Sequence, residues 1–360
     1  MNSLLKRSLA ALLGAALLLQ VPGCTARSKA ATVHTVGILM PTKLSQRWLD
    51  DGSYIVQQFH ANGYNTQLDY AENDVKTQIA QIQSMIEAHV SCLVISAVDS
   101  GSLTEVLEEA NAAKIPVVSY DRLIMNTPYI DCYATFDNYQ VGVLQGRYIV
   151  DELGLDKNKK NYRIELFSGS PDDNNAYFFY NGSMSVLSPY IDSGRLKVLS
   201  GQTKMSQIST LRWDGATAHV RMVSLLSKYY AASRVDAVLS PYDGISMGII
   251  SALRDDGYGT KTKPWPIVTG QDAEIASVKS IVAGGQSMTV FKDTRKLAKL
   301  AVDMAVALLS GKKPPINNTT SYNNGKKTVP AYLLTPVVVT KYNYLQELVE
   351  SGYYSESQLQ

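Results

Sequence analysis

The chain has 360 residues, 45% of them hydrophobic and 18% charged, which is enough to bury a large core and to form two domains of ordinary size. Thirty-four Lys and Arg residues against 32 Asp and Glu residues leave a formal net charge of +2 without a long basic run, so we expect no nucleic-acid partner. The four histidines are scattered and no CxxC or HExxH spacing occurs, so neither a metal site nor a metallohydrolase is expected.

The N-terminus has the order of an export signal. Lys6-Arg7 precedes an apolar run from Leu9 to Leu19, which is short for a membrane span of about 20 residues, and Gly23-Cys24 follows it. Because this ending resembles a bacterial lipobox, residues 1–24 are predicted to be a lipoprotein signal peptide with lipidation at its final cysteine, and residues 25–31 a tether. The alternative is an ordinary signal peptide cut nearby. Either reading places the mature protein outside the cytoplasm, in the periplasm or at the cell surface.

The remaining chain alternates strands with helices of 3.6-residue apolar periodicity. The first group of predicted elements comprises strand 35–40, helix 46–62, strand 65–70, helix 75–89, strand 92–96, helix 104–113, strand 115–120 and strand 131–136. The second group comprises helix 139–153, strand 163–167, helix 174–190, strand 196–199, helix 213–230, strand 237–240, helix 245–255, strand 267–269 and helix 274–283. Alternation of this kind predicts parallel sheets covered on both faces.

The fold class is therefore α/β, with two doubly wound parallel-sheet lobes joined by a hinge. Strand 288–291, helix 295–309, a polar loop at 317–327 and strand 333–340 follow the second group, and we expect them to return once to each lobe. The predicted first lobe comprises residues 32–138 and 287–312. The predicted second lobe comprises residues 139–286 and 330–360.

Two cysteines in the body of an exported protein raise the question of a disulfide. Cys92 and Cys132 fall on strands that are separated by the strand beginning at Ile115. Neighbouring strands lie about 4.8 Å apart, so cysteines two strands apart exceed disulfide reach. We therefore predict two buried free thiols.

Charged, amide and aromatic residues follow six predicted strands, where an open α/β sheet binds its ligands. These strand-end residues are Arg47-Trp48, Asp121-Arg122, Asp173-Asn174-Asn175, Tyr242-Asp243, Gln271-Asp272 and Lys292-Asp293. Carboxylates, amides and guanidinium groups suit a small polyhydroxylated ligand, because each hydroxyl both donates and accepts, and a sugar's C–H face can lie on an indole ring.

Each of these residues also has an ordinary structural explanation. Asp173 can cap a helix, Trp213 can belong to the core, and Asp121-Arg122 can be a solvated ion pair. The recurrence of polar residues at six strand ends, after apolar strand bodies, favours a shared ligand site.

Several segments occur in a recognisable order: Arg47-Trp48, Tyr120-Asp-Arg-Leu-Ile124, Gly169-Ser-Pro-Asp-Asp-Asn-Asn-Ala176, Trp213-Asp214, Thr269-Gly-Gln-Asp-Ala-Glu274, Met288-Thr-Val-Phe-Lys-Asp-Thr-Arg295 and Glu350-Ser-Gly-Tyr-Tyr354. They resemble the bacterial periplasmic monosaccharide-binding proteins of the type I solute-binding fold, within the xylose-binding and multiple-monosaccharide-binding branch. The resemblance covers nearly all of the mature chain.

The resemblance implies a ligand site shared by the two lobes. The first lobe would contribute Arg47, Trp48, Asp121, Arg122 and Lys292, and the second Asp173, Asn174, Asn175, Trp213, Tyr242, Asp243 and Asp272. The two tryptophans would sandwich the sugar ring. The family usually has Asn where this chain has Tyr242, so either the ligand differs at the matching hydroxyl or the phenol turns out of the pocket.

The implied function is capture of a monosaccharide, a pentose or hexose such as xylose, glucose or galactose, by lobe closure, followed by delivery to an ABC importer. The alternative is a sensor subunit that presents the sugar to a chemoreceptor or histidine kinase. We expect a monomer that carries no cofactor and is held at the membrane through lipidated Cys24.

Two other classes of protein are disfavoured. A glycosidase would use paired carboxylates, but no serine elbow, histidine constellation or phosphate loop accompanies them, so we expect no enzyme activity. A DNA-binding repressor with similar lobes would have an N-terminal helix-turn-helix in place of the export signal.

Overall fold

The computed structural model describes residues 34–359. The predictions about the signal peptide, the lipidation of Cys24 and the tether lie outside these residues. Within residues 34–359, no helix combines the length and the apolar character needed to cross a membrane.

Six parallel strands form the first sheet, in the order β11-β5-β4-β3-β1-β2. Its strands and the helices between them are β1 Thr35–Met40, α1 Gln46–Ala61, β2 Asn65–Tyr70, α2 Val75–Glu87, β3 Cys92–Ile95, α3 Thr104–Ala112, β4 Val117–Tyr120, β5 Cys132–Phe136 and β11 Ala331–Leu334. Both faces carry apolar side chains, because neighbouring positions along a strand point to opposite sides. Ile38 packs in a core cluster with α1, whereas Leu39 packs in another cluster with α2 and α3.

The second sheet has four parallel strands in the order β7-β6-β8-β9. The elements of this lobe are α4 Asn138–Glu152, β6 Tyr162–Leu166, α5 Asn174–Asp192, β7 Leu196–Lys197, α6 Met205–Ile208, α7 Gly215–Tyr229, β8 Ala237–Leu239, α8 Asp243–Asp255, β9 Ile267–Val268 and α9 Ile275–Val282. A 3₁₀ turn, Leu211–Trp213, precedes α7. The observed order of strands and helices confirms the α/β fold with two doubly wound lobes.

Close packing of α4 on α5 depends on glycine. A Cβ on Gly142 would lie 2.0 Å from the carbonyl oxygen of Phe179, and one on Gly182 would lie 2.1 Å from that of Tyr139. Any larger residue would force the two helices apart. The N-terminus of α5, which carries three predicted site residues, contacts the first lobe through Asn175, whose side-chain amide donates to the backbone carbonyl of Asp121.

The C-terminal part of the chain corrects the predicted lobe assignment. Its elements are β10 Thr289–Phe291, α10 Thr294–Leu309, β12 Val337–Val339, a π-helical turn at Leu345–Glu350 and α11 Glu356–Leu359, in addition to β11. The predicted strand 333–340 is in fact two strands: β11 pairs with β5 of the first sheet, and β12 pairs antiparallel with β10. β10 in turn continues the second sheet through a bridge between Gln271 and Val290.

The reason for this difference is the Thr335-Pro336 break in an otherwise apolar run, because proline cannot donate to a strand ladder. Residues 331–334 thus belong to the first sheet and residues 289–291 adjoin the second, the reverse of the assignment made from sequence. Helix α10 packs on the first sheet, as expected, since Leu297, Ala301 and Met304 share a core cluster with β1 and α1. The remaining lobe limits stay a prediction.

Both described cysteines, Cys92 and Cys132, are free and buried, with β4 between their strands. The prediction of two separate thiols is confirmed.

Candidate ligand-binding site

A cavity of ≈ 520 Å³ lies where the carboxyl ends of strands from both sheets meet. Among the residues that line it, ten were predicted from the sequence: Arg47, Trp48, Asp121, Arg122, Asp173, Asn175, Trp213, Tyr242, Asp272 and Lys292. Its volume is within the usual range for a small-molecule site.

Arg47 joins carboxylates of the two lobes. It is on the first turn of α1, and its guanidinium Nη2 donates to Oδ2 of Asp121, which follows β4 of the first sheet. Its Nη1 lies 3.3 Å from Oδ2 of Asp272, which follows β9 of the second sheet. All three side chains are nearly inaccessible to solvent, so their charges interact strongly.

Lys292 occupies the same carboxylate cluster. It follows β10 and is 2% exposed, and its ammonium Nζ lies 3.1 Å from Oδ1 of Asp272 and 3.9 Å from Oδ2 of Asp121. The rings of Phe136 and Phe179 lie 5.9 and 5.7 Å from the ammonium. Lys292 and Arg47 therefore compensate the charges of the two carboxylates within the protein.

Arg122 makes a second link between the lobes. Its Nε lies 3.0 Å from Oδ2 of Asp173, and its Nη1 donates to the carbonyl oxygen of Ala97 at 3.0 Å. Asp173 caps α5 by accepting from the backbone N–H of Asn175. The adjacent Asp121 and Arg122, which looked like one ion pair in the sequence, therefore have different partners.

Asn175 fastens α5 to the strand end that carries Asp121. Its Nδ2 donates to the backbone carbonyl of Asp121 at 2.8 Å, and its Oδ1 accepts from Asn138 Nδ2 at 3.0 Å and lies 3.1 Å from the Tyr133 hydroxyl oxygen. The same Asp121 carbonyl also accepts from the Tyr133 and Thr135 hydroxyls. Asn175 thus lines the cavity while its amide holds the cavity wall together.

The two tryptophans present different surfaces to the cavity. The guanidinium carbons of Arg47 and Arg122 lie 4.8 and 5.2 Å from the ring centre of Trp48, which is almost fully buried. Trp213 is half-buried, and its ring is pressed on Gly169, where a Cβ would lie 2.0 Å away. The indole Nε1 of Trp213 is buried and has no hydrogen-bond partner among the described residues.

Left-handed backbone is concentrated at the cavity. Asp121, Trp213 and Asp272 have φ values of 57°, 58° and 91°, a region that side-chain-bearing residues seldom adopt. Each such conformation costs roughly 1–3 kcal/mol, and it persists only where surrounding contacts stabilise it by more than this. At Asp121 those contacts are the three hydrogen bonds to its carbonyl and its own N–H donation to Ala134.

The charged groups of the cavity are shifted by burial and by one another. Burial alone would raise the pKa of Asp121, but the positive charges of Arg47 and Lys292 outweigh it and lower that pKa. Burial raises the pKa of Asp173, and Arg122 only partly opposes this. For Arg47, burial would lower the pKa, but the surrounding carboxylates raise it well above its usual range. These directions favour an ionised Asp121 and a permanently charged Arg47 at neutral pH.

Tyr242 turns towards Glu274 at the cavity wall. Its hydroxyl donates to Oε1 of Glu274 at 2.5 Å, and the same oxygen lies 3.5 Å from the Ser45 hydroxyl of the opposite lobe. Burial, followed by the Glu274 carboxylate, raises the pKa of Tyr242 well above its usual value, so the phenol stays protonated. Tyr242 lines the cavity with its hydroxyl held by Glu274.

Two predicted ligand residues are not brought to the cavity. Asp243 is completely buried, and its carboxylate accepts from Gln286 Nε2 at 2.8 Å, from the Glu274 backbone N–H at 2.9 Å and from the Thr289 hydroxyl at 3.0 Å. It ties three segments of the second lobe together behind the cavity wall. Asn174 is not among the residues that line the cavity, and its backbone N–H donates to the Ser100 hydroxyl. The structure therefore places these two predicted ligand residues outside the lining of the cavity.

Sequence reasoning missed several lining residues. They are Thr42, Ser45, Phe179, Arg212, Glu274, Tyr353 and Tyr354, among others. Glu274 and Ser45 were near predicted site residues in the chain, so proximity was a usable signal. The C-terminal tyrosines belong to a segment that carried the family resemblance, but they follow no predicted strand and were therefore not assigned to the site.

Metal binding has no support in the part of the chain that the structure describes, where no group of three His, Cys, Asp or Glu side chains is arranged to hold an ion. A cleft between two α/β lobes, lined by bidentate polar groups and tryptophan, defines a two-lobed small-molecule binding protein.

Comparison with known proteins gives the family. Residues 36–313 match the model described as periplasmic binding protein domain. The chain is 60% identical over 324 residues to the multiple sugar-binding periplasmic protein SbpA of Azospirillum brasilense, covering 90% of each chain. It is 55% identical over 359 residues to the multiple sugar-binding periplasmic receptor ChvE of Rhizobium radiobacter, covering 100% of each. This protein therefore belongs to the type I periplasmic binding proteins, in the multiple-sugar branch.

A solved structure agrees with this assignment. The solute-binding protein of an ABC transporter from Clostridium phytofermentans, with bound β-D-glucose, is 46% identical and superposes with a TM-score of 0.88, covering 91% of this chain and 100% of that one. The family consists of binding receptors rather than enzymes, so the expectation of a non-enzymatic protein is confirmed and the glycosidase alternative is set aside.

Proposed function

We propose that this protein is an extracytoplasmic receptor that captures one monosaccharide, a pentose or hexose such as xylose, glucose or galactose, by closing its lobes. The observation that carries the proposal is the contact of Arg47 with carboxylates of both lobes, Asp121 and Asp272, at a cavity also lined by two tryptophans. Named sugar-binding relatives and the glucose complex described above support a sugar as the ligand.

The chemistry of the cavity suits a neutral polyol. Asp121, Asp272 and Asp173 are each already paired with a cation, so a ligand need not neutralise them. Each retains oxygen lone pairs that accept from sugar hydroxyls, while Arg47, Arg122 and Lys292 donate to sugar oxygens. The half-buried Trp213 ring supplies an apolar surface for the C–H face of a pyranose.

Closure follows from the division of these contacts between the lobes. Arg47 and Asp121 are on the first lobe, whereas Asp272 and Trp213 are on the second. A sugar held by one lobe gains the other lobe's contacts only when the cleft closes, so it favours the closed form by this difference in affinity.

Delivery to an ABC importer is the proposed use of the closed complex, with lipidated Cys24 holding a monomeric receptor at the membrane. The glucose-bound neighbour is named as part of an ABC transporter, which supports this partner. Uptake of labelled sugar into cells lacking the gene, complemented with the natural chain or with Cys24→Ala, tests delivery. Radiolabelled palmitate on the natural chain but not on the variant tests the anchor.

A sensor role is the alternative, because one relative is named a receptor. A receptor that signals rather than delivers would leave sugar uptake unchanged when deleted but would abolish a sugar-dependent transcriptional or chemotactic response.

The binding proposal is tested first by a thermal-shift screen of common pentoses and hexoses. A ligand present at 100 times its dissociation constant adds about 2.7 kcal/mol of stability, which raises the melting temperature by several degrees.

Trp265→Ala is a matched control for Trp213→Ala, because Trp265 packs outside the cavity, against Gly259. The control should keep its sugar-dependent shift, while Trp213→Ala should lose most of it.

A further inference from the structure

Asp51 is a fully buried carboxylate directly behind the cavity wall. It is 0% exposed and is not among the residues that line the cavity. It follows Arg47 by one turn of α1, and its Oδ2 lies 3.3 Å from Arg47 Nε. Its Oδ1 accepts a hydrogen bond from the hydroxyl of Tyr120, the last residue of β4.

The Arg47 guanidinium is therefore surrounded by carboxylates on all three of its edges. Nη2 donates to Asp121 and Nη1 donates to Asp272, whereas Nε and Oδ2 of Asp51 form a close ion pair without a hydrogen bond. Asp121 and Asp272 line the cavity and are available to a ligand, whereas Asp51 is not. Asp51 is also the only one of these three that is on the same helix as Arg47, so lobe movement does not separate the two.

We propose that Asp51 is a positioning residue for ligand binding, which holds the Arg47 guanidinium in its binding orientation from behind the cavity, while Tyr120 holds Asp51. The inference rests on the proposed sugar-binding function. When the lobes separate, Arg47 loses Asp272 but keeps Asp51 and Asp121. Asp51 thus restricts the Arg47 side chain before the sugar binds. Less conformational entropy is then lost on binding.

The purely structural alternative is a buried ion pair that only stabilises α1. It predicts that replacing Asp51 lowers the melting temperature and leaves the sugar affinity of the folded protein unchanged. The positioning role predicts a change in affinity, because an asparagine amide can accept from Tyr120 but cannot attract the Nε edge of Arg47.

The test is isothermal calorimetry of the full mature chain with D-glucose and D-xylose. Asp51→Asn should weaken binding of both about tenfold, since both sugars need the same Arg47 orientation. Asp303→Asn is the matched control, because Asp303 forms an exposed i,i+4 pair with Lys299 on α10. The control should bind like the natural protein.

A pH profile gives a second readout. The groups that face Asp51 are Arg47 and Tyr54 from α1, Tyr70 from β2, Tyr120 from β4, Asp121 and Asp272 from the two cavity loops, and Tyr353 from the C-terminal segment. Burial raises the pKa of Asp51 to about 7, with Arg47 opposing. The Asp51 carboxylate therefore loses most of its charge as the pH falls from 8 to 6. The natural protein should bind sugar more weakly at pH 6 than at pH 8, and the affinity of Asp51→Asn should differ less between these two pH values.

If folded Asp51→Asn bound sugar with the same affinity and the same pH profile as the natural protein, the positioning proposal would be overturned, whereas the proposed sugar-binding function would stand. If Asp51→Asn does not fold, Tyr120→Phe, which keeps the carboxylate but removes its anchor, should weaken binding about threefold. Unchanged binding by that variant would then overturn the proposal. Absence of binding by the natural protein would instead refute the proposed function on which it rests.

Discussion

Arg122 and Asp173 form an ion pair across the two lobes, with Arg122 Nε 3.0 Å from Asp173 Oδ2. The arginine follows β4 of the first sheet, and the aspartate caps α5 of the second. Together with the Arg47 contact to Asp272, this pair places charged partners from opposite lobes on both sides of one cavity. Residues that line the ligand cavity therefore also supply contacts between the two lobes.

Replacing Trp213 by alanine should weaken sugar binding by about 1.5–3 kcal/mol, because the indole ring supplies an apolar platform in the cavity. Calorimetry on the folded variant measures this loss. The fold should persist, since Trp213 is only half-buried. Affinity equal to that of the Trp265→Ala control would show that Trp213 is a core residue without ligand contact.

Asp121→Ala should abolish most sugar binding. Its carboxylate pairs with Arg47 and Lys292, so the variant frees two cations in the cavity and removes an acceptor for a hydroxyl. We expect at least a hundredfold loss of affinity by titration calorimetry, equivalent to about 2.7 kcal/mol. Asp303→Ala is the control, since it removes a solvent-exposed partner of Lys299. An unaffected titration would remove Asp121 from the site.

Asp121 should also cause the unfolding free energy of the protein to decrease at acid pH. Its pKa is lowered in the folded protein, so its contribution to stability is present above the unfolded pKa of about 3.9 and is lost as pH falls through the folded pKa. The difference in unfolding free energy between the natural protein and Asp121→Asn should therefore shrink below about pH 4. Urea unfolding at pH 7 and pH 3 measures it, and a difference that grows in acid would contradict the assignment.

Lys292→Met should destabilise the fold and reduce binding together. The ammonium is 2% exposed and lies between Asp272 and Asp121, so its loss leaves buried negative charge with Arg47 alone to compensate it. Breaking a buried ion pair in this way costs about 3–5 kcal/mol. Urea denaturation at pH 7 should detect this loss of unfolding free energy. The exposed Lys299→Met is the control, and equal stability of the two variants would argue against the buried cluster.

The two thiols should resist modification in the native state. Burial raises the pKa of Cys132 to about 12 and that of Cys92 well above its usual value, so neither forms a thiolate readily. Iodoacetamide should label both only after unfolding in urea, without prior reduction. Mass spectrometry that showed a disulfide in the unreduced chain would contradict the strand order β3-β4-β5.

The alternation of apolar strands and amphipathic helices was enough to predict the fold class and most elements. It failed in the segment around Pro336, where the apolar residues continue on both sides although the chain changes sheet. Periodicity reports which residues are buried but does not say which sheet buries them. The proline was the available signal for the break.

Strand-end position also predicted most of the cavity, because parallel strands bring their carboxyl ends together. It could not separate Tyr242 from its neighbour Asp243, since one residue along the chain decides whether a side chain lines the cavity or lies behind it. Nor could it show that Asp121 pairs with Arg47 rather than with the adjacent Arg122. Those partners depend on the lobe arrangement, which local pattern does not contain.

Titration calorimetry of residues 25–360 with a panel of pentoses and hexoses tests the central claim most directly. The account predicts saturable binding of at least one monosaccharide at one site per chain, weakened by Trp213→Ala and Asp121→Ala but not by Trp265→Ala. Absence of binding to every monosaccharide at millimolar concentration, or binding that survives both cavity substitutions, would contradict it.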